Sequence, residues 1–212
     1  EISCSLVGSE MCIRDRSKAT RRDKTKKFMQ KNEIRAQIKA LKKQLDEQTK
    51  AETASAVFAL LESCPEFQKA RTVLAYHALP DELPTQAFLQ QWSNGKKLYL
   101  PRVNGDELDI LPYSPESLHK GAFSILEPDG NEYTDVDTLD LIIVPAVAFD
   151  RRGNRLGRGK GFYDRLLQKA KCPKIGIAYH FQLLDEIPAE PHDIPMDKII
   201  TEQGILSINN IT

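Results

Sequence analysis

The chain has 212 residues, 41% of them hydrophobic, so it is long enough to fold as one globular domain around a sizeable core. Its 30 Lys and Arg residues balance its 30 Asp and Glu residues, and no apolar run approaches the roughly 20 residues that a membrane-spanning helix needs. The balance is uneven, because residues 1–43 hold 13 of the basic residues and 5 of the acidic ones, which leaves 17 basic and 25 acidic residues in the remainder. With Phe28 as its one aromatic residue, the basic arm is interpreted as a solvated helix end. We therefore expect neither a membrane nor a nucleic-acid partner.

The first 17 residues do not have the pattern of a signal peptide, because their apolar stretch is short and broken and the cations follow it. We expect residues 1–17 to be a non-native or disordered tail and residues 18–212 to form a single domain. Outside the tail, Cys64 and Cys172 show no CxxC spacing, so neither a zinc site nor a disulfide framework is indicated. A cytoplasmic location is expected.

The first half of the chain predicts helices followed by an alternation of strand and helix. From Lys24 to Glu47, apolar residues recur at helical spacing. A second helix ends before Pro65. A short strand at Val73–His77 and a helix from about Thr85 to Trp92 come next.

A β-hairpin is predicted in the middle of the chain. The segments Lys97–Val103 and Leu108–Tyr113 flank Asn104–Gly105, two residue types that tolerate positive φ in tight turns. Pro101 lies in the first arm and predicts an edge position, because proline donates no hydrogen bond to a neighbouring strand.

The second half of the chain indicates a mostly parallel sheet. A loop or short strand at Gly121–Pro128 and a polar connection at Asp129–Thr138 precede three apolar segments, Leu141–Val144, Lys174–Tyr179 and Ile199–Leu206, which predict strands. Strands that alternate with helices favour an α/β fold. We expect a three-layer α/β/α domain with a mostly parallel central sheet, an added β-hairpin and an N-terminal helix pair. Ligands should bind beyond the carboxyl ends of the strands.

The stretch Asp140–Asp164 has the strongest functional pattern. Its buried-type strand leads into a loop that contains four glycines and five cations, and a helical pattern starts after Gly161. Glycines let backbone N–H groups approach an anion, the helix dipole favours negative charge, and Arg and Lys neutralise the remainder. A polyphosphate or nucleotide site is therefore predicted here.

The loop matches neither of the two common nucleotide motifs. A Walker A motif requires glycine at Asn154 and Ser or Thr at Gly161, and the dinucleotide fingerprint requires glycine at Phe162. The G-R-G-K-G core has more positive charge than a dinucleotide turn needs, which suits the transfer of a phosphoryl group.

The loop and several flanking segments resemble one known family. N-R-L-G-R-G-K-G-F-Y-D, preceded by V-P-x-x-A-F-D, closely resembles the signature of the 5-formyltetrahydrofolate cyclo-ligases. In chain order, K-N-E-I-R, Y-H-A-L-P-D-E-L-P-T, K-G-A-F-S-I-L-E-P, and G-I-A-Y with E-P-H-D-I-P-M-D resemble further family segments. The resemblance extends from about Phe28 to Leu206.

The resemblance implies an ATP- and Mg²⁺-dependent ring closure. The formyl oxygen of 5-formyltetrahydrofolate takes a phosphoryl group from ATP, the neighbouring arylamine nitrogen attacks the activated carbon, and phosphate leaves. The products are 5,10-methenyltetrahydrofolate, ADP and phosphate. The implied partners are these small molecules, and we expect a monomer.

The resemblance also implies roles for individual residues. Arg158 and Lys160 would be catalytic, Asp164 and Asp193 would bind Mg²⁺, and Phe123 would stack on the pterin. The implied ATP contacts are Lys31, Arg35, Arg155, Leu156, Gly157, Arg158, Gly159, Lys160, Gly161, Phe162 and Tyr163. The implied folate contacts are His77, Glu82, Arg158, Gly159, Lys160, Gly161 and Phe162, with Glu82 positioned for the pterin's donor edge.

Several of these residues also have structural interpretations. An acid in the first turn of a helix is stabilised by the helix dipole alone, a pair of cations on a helix is usually a solvated face, and an acid before a helix can cap it. Asp164 is such an acid in a first turn, Lys31 and Arg35 are such a pair of cations, and Glu82 with Asp81 could cap the following helix. Asp193 could be a turn residue, and His77 could be a core histidine. The alternation of glycine with cations in the loop has no such structural reason.

Two other functional classes remain open. One is a different ATP-dependent small-molecule kinase or ligase on the same scaffold, and the other is a non-catalytic nucleotide-binding regulator. The pair Asp164 and Asp193 argues against the regulator, because binding alone needs no metal pair. The acidic turn at Glu82 and the C-terminal block favour folate over another heterocycle.

Overall fold

The computed structural model describes residues 30–121, 126–190 and 193–208. The predicted tail at residues 1–17, the predicted helix start at Lys24 and the predicted pterin contact Phe123 lie outside these ranges. Within them, no helix has the length and apolarity needed to cross a bilayer.

The helices lie mostly in the first half of the chain. Asp46 begins the second helix by accepting a hydrogen bond from the backbone N–H of Thr49 at 2.7 Å, and Pro65 begins the third. The helices are α1 Lys31–Lys42, α2 Glu47–Ser63, α3 Pro65–Lys69, α4 Gln86–Trp92 and α5 Phe162–Lys169.

The strands form a large sheet and two small ones. They are β1 Thr72–Leu74, β2 Lys97–Asn104, β3 Glu107–Pro112, β4 Leu118–Lys120, β5 Leu126–Pro128, β6 Leu141–Val144, β7 Ala148–Asp150, β8 Arg155–Leu156, β9 Lys174–Ile177, β10 Leu183–Leu184, β11 Lys198–Thr201 and β12 Gly204–Ser207. The large sheet has the order β12-β11-β9-β6-β1-β2-β3. Its five inner strands pair in parallel, and β12 and β3 add antiparallel edges. This arrangement confirms the predicted mostly parallel sheet.

Helices cover both faces of the large sheet, which explains why its central strands are apolar throughout. In β6, Leu141 and Ile143 pack on the side of α2, α3 and α4, while Ile142 and Val144 pack on the side of α5. All four side chains are fully buried. The three-layer α/β/α arrangement is as predicted.

The first helix packs on a small sheet and not on α2. Its buried residues Ile34 and Ile38 form a separate apolar cluster with Ala148 of β7, Leu156 of β8 and Ile187. Two N-terminal helices therefore exist, but the first ends at Lys42 and not at Glu47, which begins α2. The two helices bury their apolar faces in different clusters. This position brings α1 next to the glycine-rich loop.

The hairpin is present, with two corrections. Asn104 pairs with Glu107, so the turn residues are Gly105 and Asp106, one position later than predicted. The strand that contains Pro101 is not an edge strand of the sheet, because β2 lies between β1 and β3. Pairing with β1 ends at Tyr99, however, so no β1 residue is paired with Pro101.

Three other predicted elements differ in detail. The strand predicted at Val73–His77 ends at Leu74 in the structure, and the strand predicted at Ile199–Leu206 is a hairpin of two strands. The segment after β6 is not loop throughout, since it contains the antiparallel pair β7–β8, in which Phe149 faces Arg155. These strands are only two to four residues long, so local periodicity did not reveal them.

Candidate active site

A cleft of about 610 Å³ lies where the order of the parallel strands reverses. From β1 the chain continues to a neighbour on one side, β2, and only later to its neighbour on the other side, β6. The segments that leave the carboxyl ends of β1 and β6 therefore diverge, and a crevice forms between them. His77 after β1 and Pro145 after β6 both line the cleft, which agrees with the predicted ligand position.

The β7–β8 turn, which supports one wall of the cleft, is held by a buried carboxylate. Asp150 accepts hydrogen bonds from the backbone N–H groups of Arg152 and Asn154 at 2.9 and 3.0 Å, from the Asn154 side chain at 2.9 Å, and from the N–H of Ile187 at 3.2 Å. Asp150 itself is fully buried. This set of bonds fixes β8 and thereby the start of the cationic loop.

The loop reaches the start of α5 through two glycines with positive φ. Gly159 has φ of 93° and Gly161 has φ of 72°, a region that other residues adopt only with strain. Gly161 is the residue before the helix and offers no side-chain cap to its first N–H groups. Those unsatisfied donors and the helix dipole favour an anion at this end of the cleft.

The first helix is joined to the loop by an arginine. The guanidinium of Arg35 donates from Nε to the carbonyl oxygen of Gly157 at 3.0 Å and from Nη1 to the Asn32 side chain at 2.8 Å. Lys31, one turn earlier, forms an ion pair with Glu190 at 2.6 Å. The pair of cations is therefore not a freely solvated helix face, because Arg35 contacts the loop directly.

Arg158 connects the loop to the acidic turn after β1. Its Nη2 lies 2.6 Å from Oδ1 of Asp81 and 3.2 Å from Oε1 of Glu82. Burial alone would raise the pKa of Asp81, but the hydrogen bond and charge of Arg158 outweigh burial and hold this pKa below its usual value. Glu82 also accepts from the backbone N–H of Leu79 at 3.1 Å, and Thr85 precedes α4, so Glu82 is not a helix cap.

The two predicted metal ligands both line the cleft. Asp164 forms an ion pair with the buried Arg155, and Oδ2 of Asp193 accepts from the N–H of Glu190 at 2.7 Å and lies 4.0 Å from Nζ of Lys31. No group of three or more His, Cys, Asp or Glu side chains suited to a metal exists within the described ranges. A pair of carboxylates beside a cationic, glycine-rich loop nevertheless fits Mg²⁺, which is commonly held by one or two carboxylates together with phosphate oxygens and water.

Aromatic and histidine side chains complete the wall near the acidic turn. The hydroxyl of Tyr163 is buried, and it has no hydrogen-bond partner among the residues that the structure describes. Burial, helped by the charge of Glu82, raises the pKa of Tyr163, so its hydroxyl remains protonated at neutral pH. Burial lowers the pKa of the half-buried His77, which keeps its imidazole neutral. The wall therefore offers uncharged polar groups beside the cations of the loop.

Comparison with known proteins identifies the family. The sequence matches the 5-formyltetrahydrofolate cyclo-ligase family over residues 27–202. The chain belongs to this family. A 5-formyltetrahydrofolate cyclo-ligase of Escherichia coli K12 is 37% identical over 151 residues, which cover 66% of this chain and 83% of that protein. Its counterpart from Haemophilus influenzae is 34% identical over 178 residues, which cover 79% of this chain and 91% of that protein. This cyclo-ligase chain is thus an enzyme of the ligase class.

Solved structures of the same family share the fold. A 5,10-methenyltetrahydrofolate synthetase of Aquifex aeolicus matches with a TM-score of 0.79 and 36% identity over 87% of this chain and 95% of that one. A 5,10-methenyltetrahydrofolate synthetase of Mycoplasma pneumoniae matches with a TM-score of 0.67 and 26% identity over 82% of this chain and 99% of that one. The α/β fold described above is therefore the cyclo-ligase fold.

The cleft of this cyclo-ligase chain brings the described site residues together. The residues predicted to contact ATP, folate or metal from Lys31 to Asp193 all line it, apart from Phe123, which lies outside the described ranges. The surroundings of Arg155 differ from those of the other cations in the loop. Arg155 is a buried partner of Asp164 and not a solvent-facing cation, so its first contact is with the predicted metal ligand.

Other residues of the cleft were not predicted. The hairpin contributes an apolar wall through Pro101, Val103 and Leu108, and the buried Glu127 lies beside Val103. Alternation along the hairpin could have shown that these three apolar residues share a face, but not that the face points into a cleft. The sequence could have indicated the role of Asp150, because an Asp a few residues before a Gly-Asn pair is typical of a turn that is held by the Asp side chain.

Proposed function

We propose that this chain converts 5-formyltetrahydrofolate to 5,10-methenyltetrahydrofolate with the use of one ATP, through phosphorylation of the formyl oxygen and ring closure. One observation supports this proposal above the others. The cationic loop predicted to hold ATP and the acidic turn predicted to face folate are joined directly, by Arg158 with Asp81 and Glu82. A γ-phosphate bound to the loop would therefore lie next to a folate bound at the turn.

The nucleotide would bind along the loop and the start of α5. The unsatisfied N–H groups after Gly161 suit phosphate oxygens, and Arg35 holds the loop at Gly157, so the loop is ordered before ATP arrives. An ordered loop loses less entropy on binding than a free one. Lys31, on the same face of α1, would add a cation near the phosphates.

The folate would bind between the hairpin and the acidic turn. The pterin and the aminobenzoyl ring are flat and largely apolar on their faces, which suits the wall formed by Pro101, Val103 and Leu108. His77, neutral because of its burial, borders the same space without adding charge. In this position the formyl oxygen would approach the end of the loop that contains Lys160.

Arg158 and Lys160 would stabilise the phosphoryl group during its transfer. Negative charge is spread over the transferring oxygens, and fixed cations stabilise it most in a cleft from which water is excluded. A formyl oxygen is a poor leaving group until it has gained the phosphoryl group. The arylamine nitrogen then forms the new C–N bond as the C–O bond breaks, and the oxygen leaves with the phosphate. The cleft must exclude water during this interval, because water would compete for the activated carbon.

Mg²⁺ would be held by Asp164 and Asp193, and when bound it would neutralise part of the phosphate charge. Arg155 forms an ion pair with Asp164, and Lys31 lies near Asp193. These cations lie beside the two carboxylates at the wall of the cleft. A monomeric state and a cytoplasmic location remain predictions from the sequence.

Product formation tests the proposal. Purified protein is mixed with MgATP and 5-formyltetrahydrofolate, and the near-ultraviolet absorbance of the methenyl product is followed. We expect product that depends on the protein, ATP and Mg²⁺ together. If ATP and the folate both bind but no methenyl product forms, the proposed reaction is wrong.

A further inference from the structure

A buried carboxylate in the cleft has no role in the reaction described above. Glu127 lies in β5 with only 3% of its surface exposed, and it lines the cleft beside the hairpin. Burying an ionised carboxylate costs considerable free energy unless hydrogen bonds or a cation compensate it. The question is therefore which contacts of Glu127 offset the cost of burying its carboxylate.

The described residues offset the cost of burying this carboxylate only in part. Among the described residues, Glu127 accepts a single hydrogen bond, from the backbone N–H of Val103 to Oε1 at 3.3 Å. It forms no ion pair within the part of the chain that the structure describes. A carboxylate can accept about four hydrogen bonds, so Glu127 keeps unused acceptor capacity at the cleft.

The position of the carboxylate is kept open by a glycine. A Cβ atom added at Gly121 would lie 1.9 Å from Oε2 of Glu127, far inside any allowed contact. In its present position the carboxylate therefore lies directly against Gly121, and a larger residue there would displace it. The hydrogen bond from Val103 and the contact with Gly121 together place the carboxylate beside the apolar wall of the hairpin.

The other glutamate of the cleft is already engaged. Oε2 of Glu82 accepts from the N–H of Leu79 at 3.1 Å, and Oε1 accepts from Nη2 and Nε of Arg158 at 3.2 and 3.3 Å. Both of its oxygens thus hold the acidic turn and the loop in place. The resemblance implied that Glu82 faces the pterin's donor edge, but these bonds occupy both of its oxygens, so the edge needs another acceptor. Glu127, by contrast, faces an apolar wall with an oxygen that has no protein donor among the described residues.

We propose that Glu127 is a substrate-binding residue that accepts hydrogen bonds from the adjacent ring N–H and 2-amino groups of the pterin. The two donors lie side by side on the edge of the ring, a spacing that matches the two oxygens of one carboxylate. The ring faces would pack on the hairpin wall that contains Val103. A heterocycle that lacks these donors would leave the buried carboxylate uncompensated and would be rejected. This inference rests on the proposed function, since it names how that substrate is recognised.

Binding measurements with a matched variant and a matched ligand test the inference. The dissociation constants of 5-formyltetrahydrofolate and of its 2-desamino analogue are measured by calorimetry for the wild type, Glu127→Gln and Glu52→Gln. Glutamine keeps the shape and an acceptor for Val103, but it replaces one acceptor by donors that face the donors of the pterin. Glu52 is an exposed residue of α2 bonded to Gln48, so its variant is the control.

We expect Glu127→Gln to weaken folate binding by about 10- to 100-fold, the usual effect of losing hydrogen bonds to a charged group. MgATP binding and the melting temperature should stay close to wild type, and the control should bind folate normally. The wild type should discriminate against the desamino analogue, and Glu127→Gln should lose most of that discrimination. Such coupling between residue and ligand group would not arise from a purely structural role.

Other outcomes overturn the inference. It is wrong if Glu127→Gln binds folate as tightly as the wild type, or if it weakens both ligands by the same factor. Should the variant fail to fold, equal binding of the two ligands by the wild type would refute it equally well. If the wild type binds 5-formyltetrahydrofolate and forms product while these tests fail, the pterin contact is refuted and the proposed reaction stands.

Discussion

Replacing Asp150 by alanine should destabilise the fold and loosen the nucleotide side of the cleft. Its carboxylate accepts four hydrogen bonds, three of them from backbone N–H groups, and the residue is fully buried. A net loss of about 1 kcal/mol for each bond, with somewhat more for an N–H left unsatisfied in the interior, gives about 3 to 5 kcal/mol. That is a large share of the 5 to 15 kcal/mol typical of a globular domain.

The functional effect should follow from the position of the turn. Asp150 ends β7, and the turn that it holds leads into β8, which carries Arg155 and the cationic loop. With the turn loosened, the KM for MgATP should rise more than the KM for folate, because the folate wall is formed by the hairpin.

Urea denaturation followed by circular dichroism measures the free energy of unfolding, and steady-state kinetics measures both KM values. Asp185→Ala is the control, since Asp185 is exposed and its ion pair with Arg151 is loose at 3.5 Å. An exposed pair of this kind contributes at most about 1 kcal/mol. If Asp150→Ala loses less than about 1 kcal/mol, or no more than the control, the argument that this carboxylate organises the loop is refuted.

Three further predictions concern single residues of the cleft. Lys160→Ala should lose most of the turnover with an unchanged melting temperature, and an unchanged rate constant would refute its role with the phosphoryl group. Arg35→Ala removes the bond to Gly157, so its KM for MgATP should rise by about 10-fold in steady-state kinetics, and an unchanged value would contradict the contact. Burial lowers the pKa of His77 in the folded protein below its usual 6.5. Protonation of His77 therefore favours the unfolded state, and the free energy of unfolding should decrease as the pH falls from above 6.5 through the pKa of the folded state. Urea denaturation at about pH 7.5 and 5.5 should then show a larger decrease in the free energy of unfolding for the wild type than for His77→Gln, and equal decreases would contradict this reasoning.

The sequence predicted the parts of the fold that depend on local pattern. The run Leu141–Val144 is apolar on both faces because helices cover both sides of the sheet, and that pattern is visible without a structure. The start of α5 after Gly161 and the hairpin near Gly105 were also marked by residues that permit positive φ. These features needed only neighbouring residues.

The remainder depended on how short strands pair and pack, which the apolar pattern does not show. Arg155 was predicted as a phosphate contact, but its burial against Asp164 depends on the short pairing of β8 with β7. The role of Glu127 depends on the packing of β5 against the hairpin and on the space left by Gly121. The resemblance to the cyclo-ligases supplied the site residues that periodicity could not, including Lys31, whose helix is distant from the loop in the chain.

The transfer of an oxygen atom tests the central claim most directly. 5-Formyltetrahydrofolate labelled with ¹⁸O in the formyl group is converted with unlabelled MgATP, and the released phosphate is examined by mass spectrometry. In the proposed mechanism the formyl oxygen gains the phosphoryl group and leaves with it, so we expect one labelled oxygen in the phosphate for each methenyl product and each ADP formed. Label released into water, or product formed without an equal amount of ADP, would contradict phosphorylation of the formyl oxygen in this cleft.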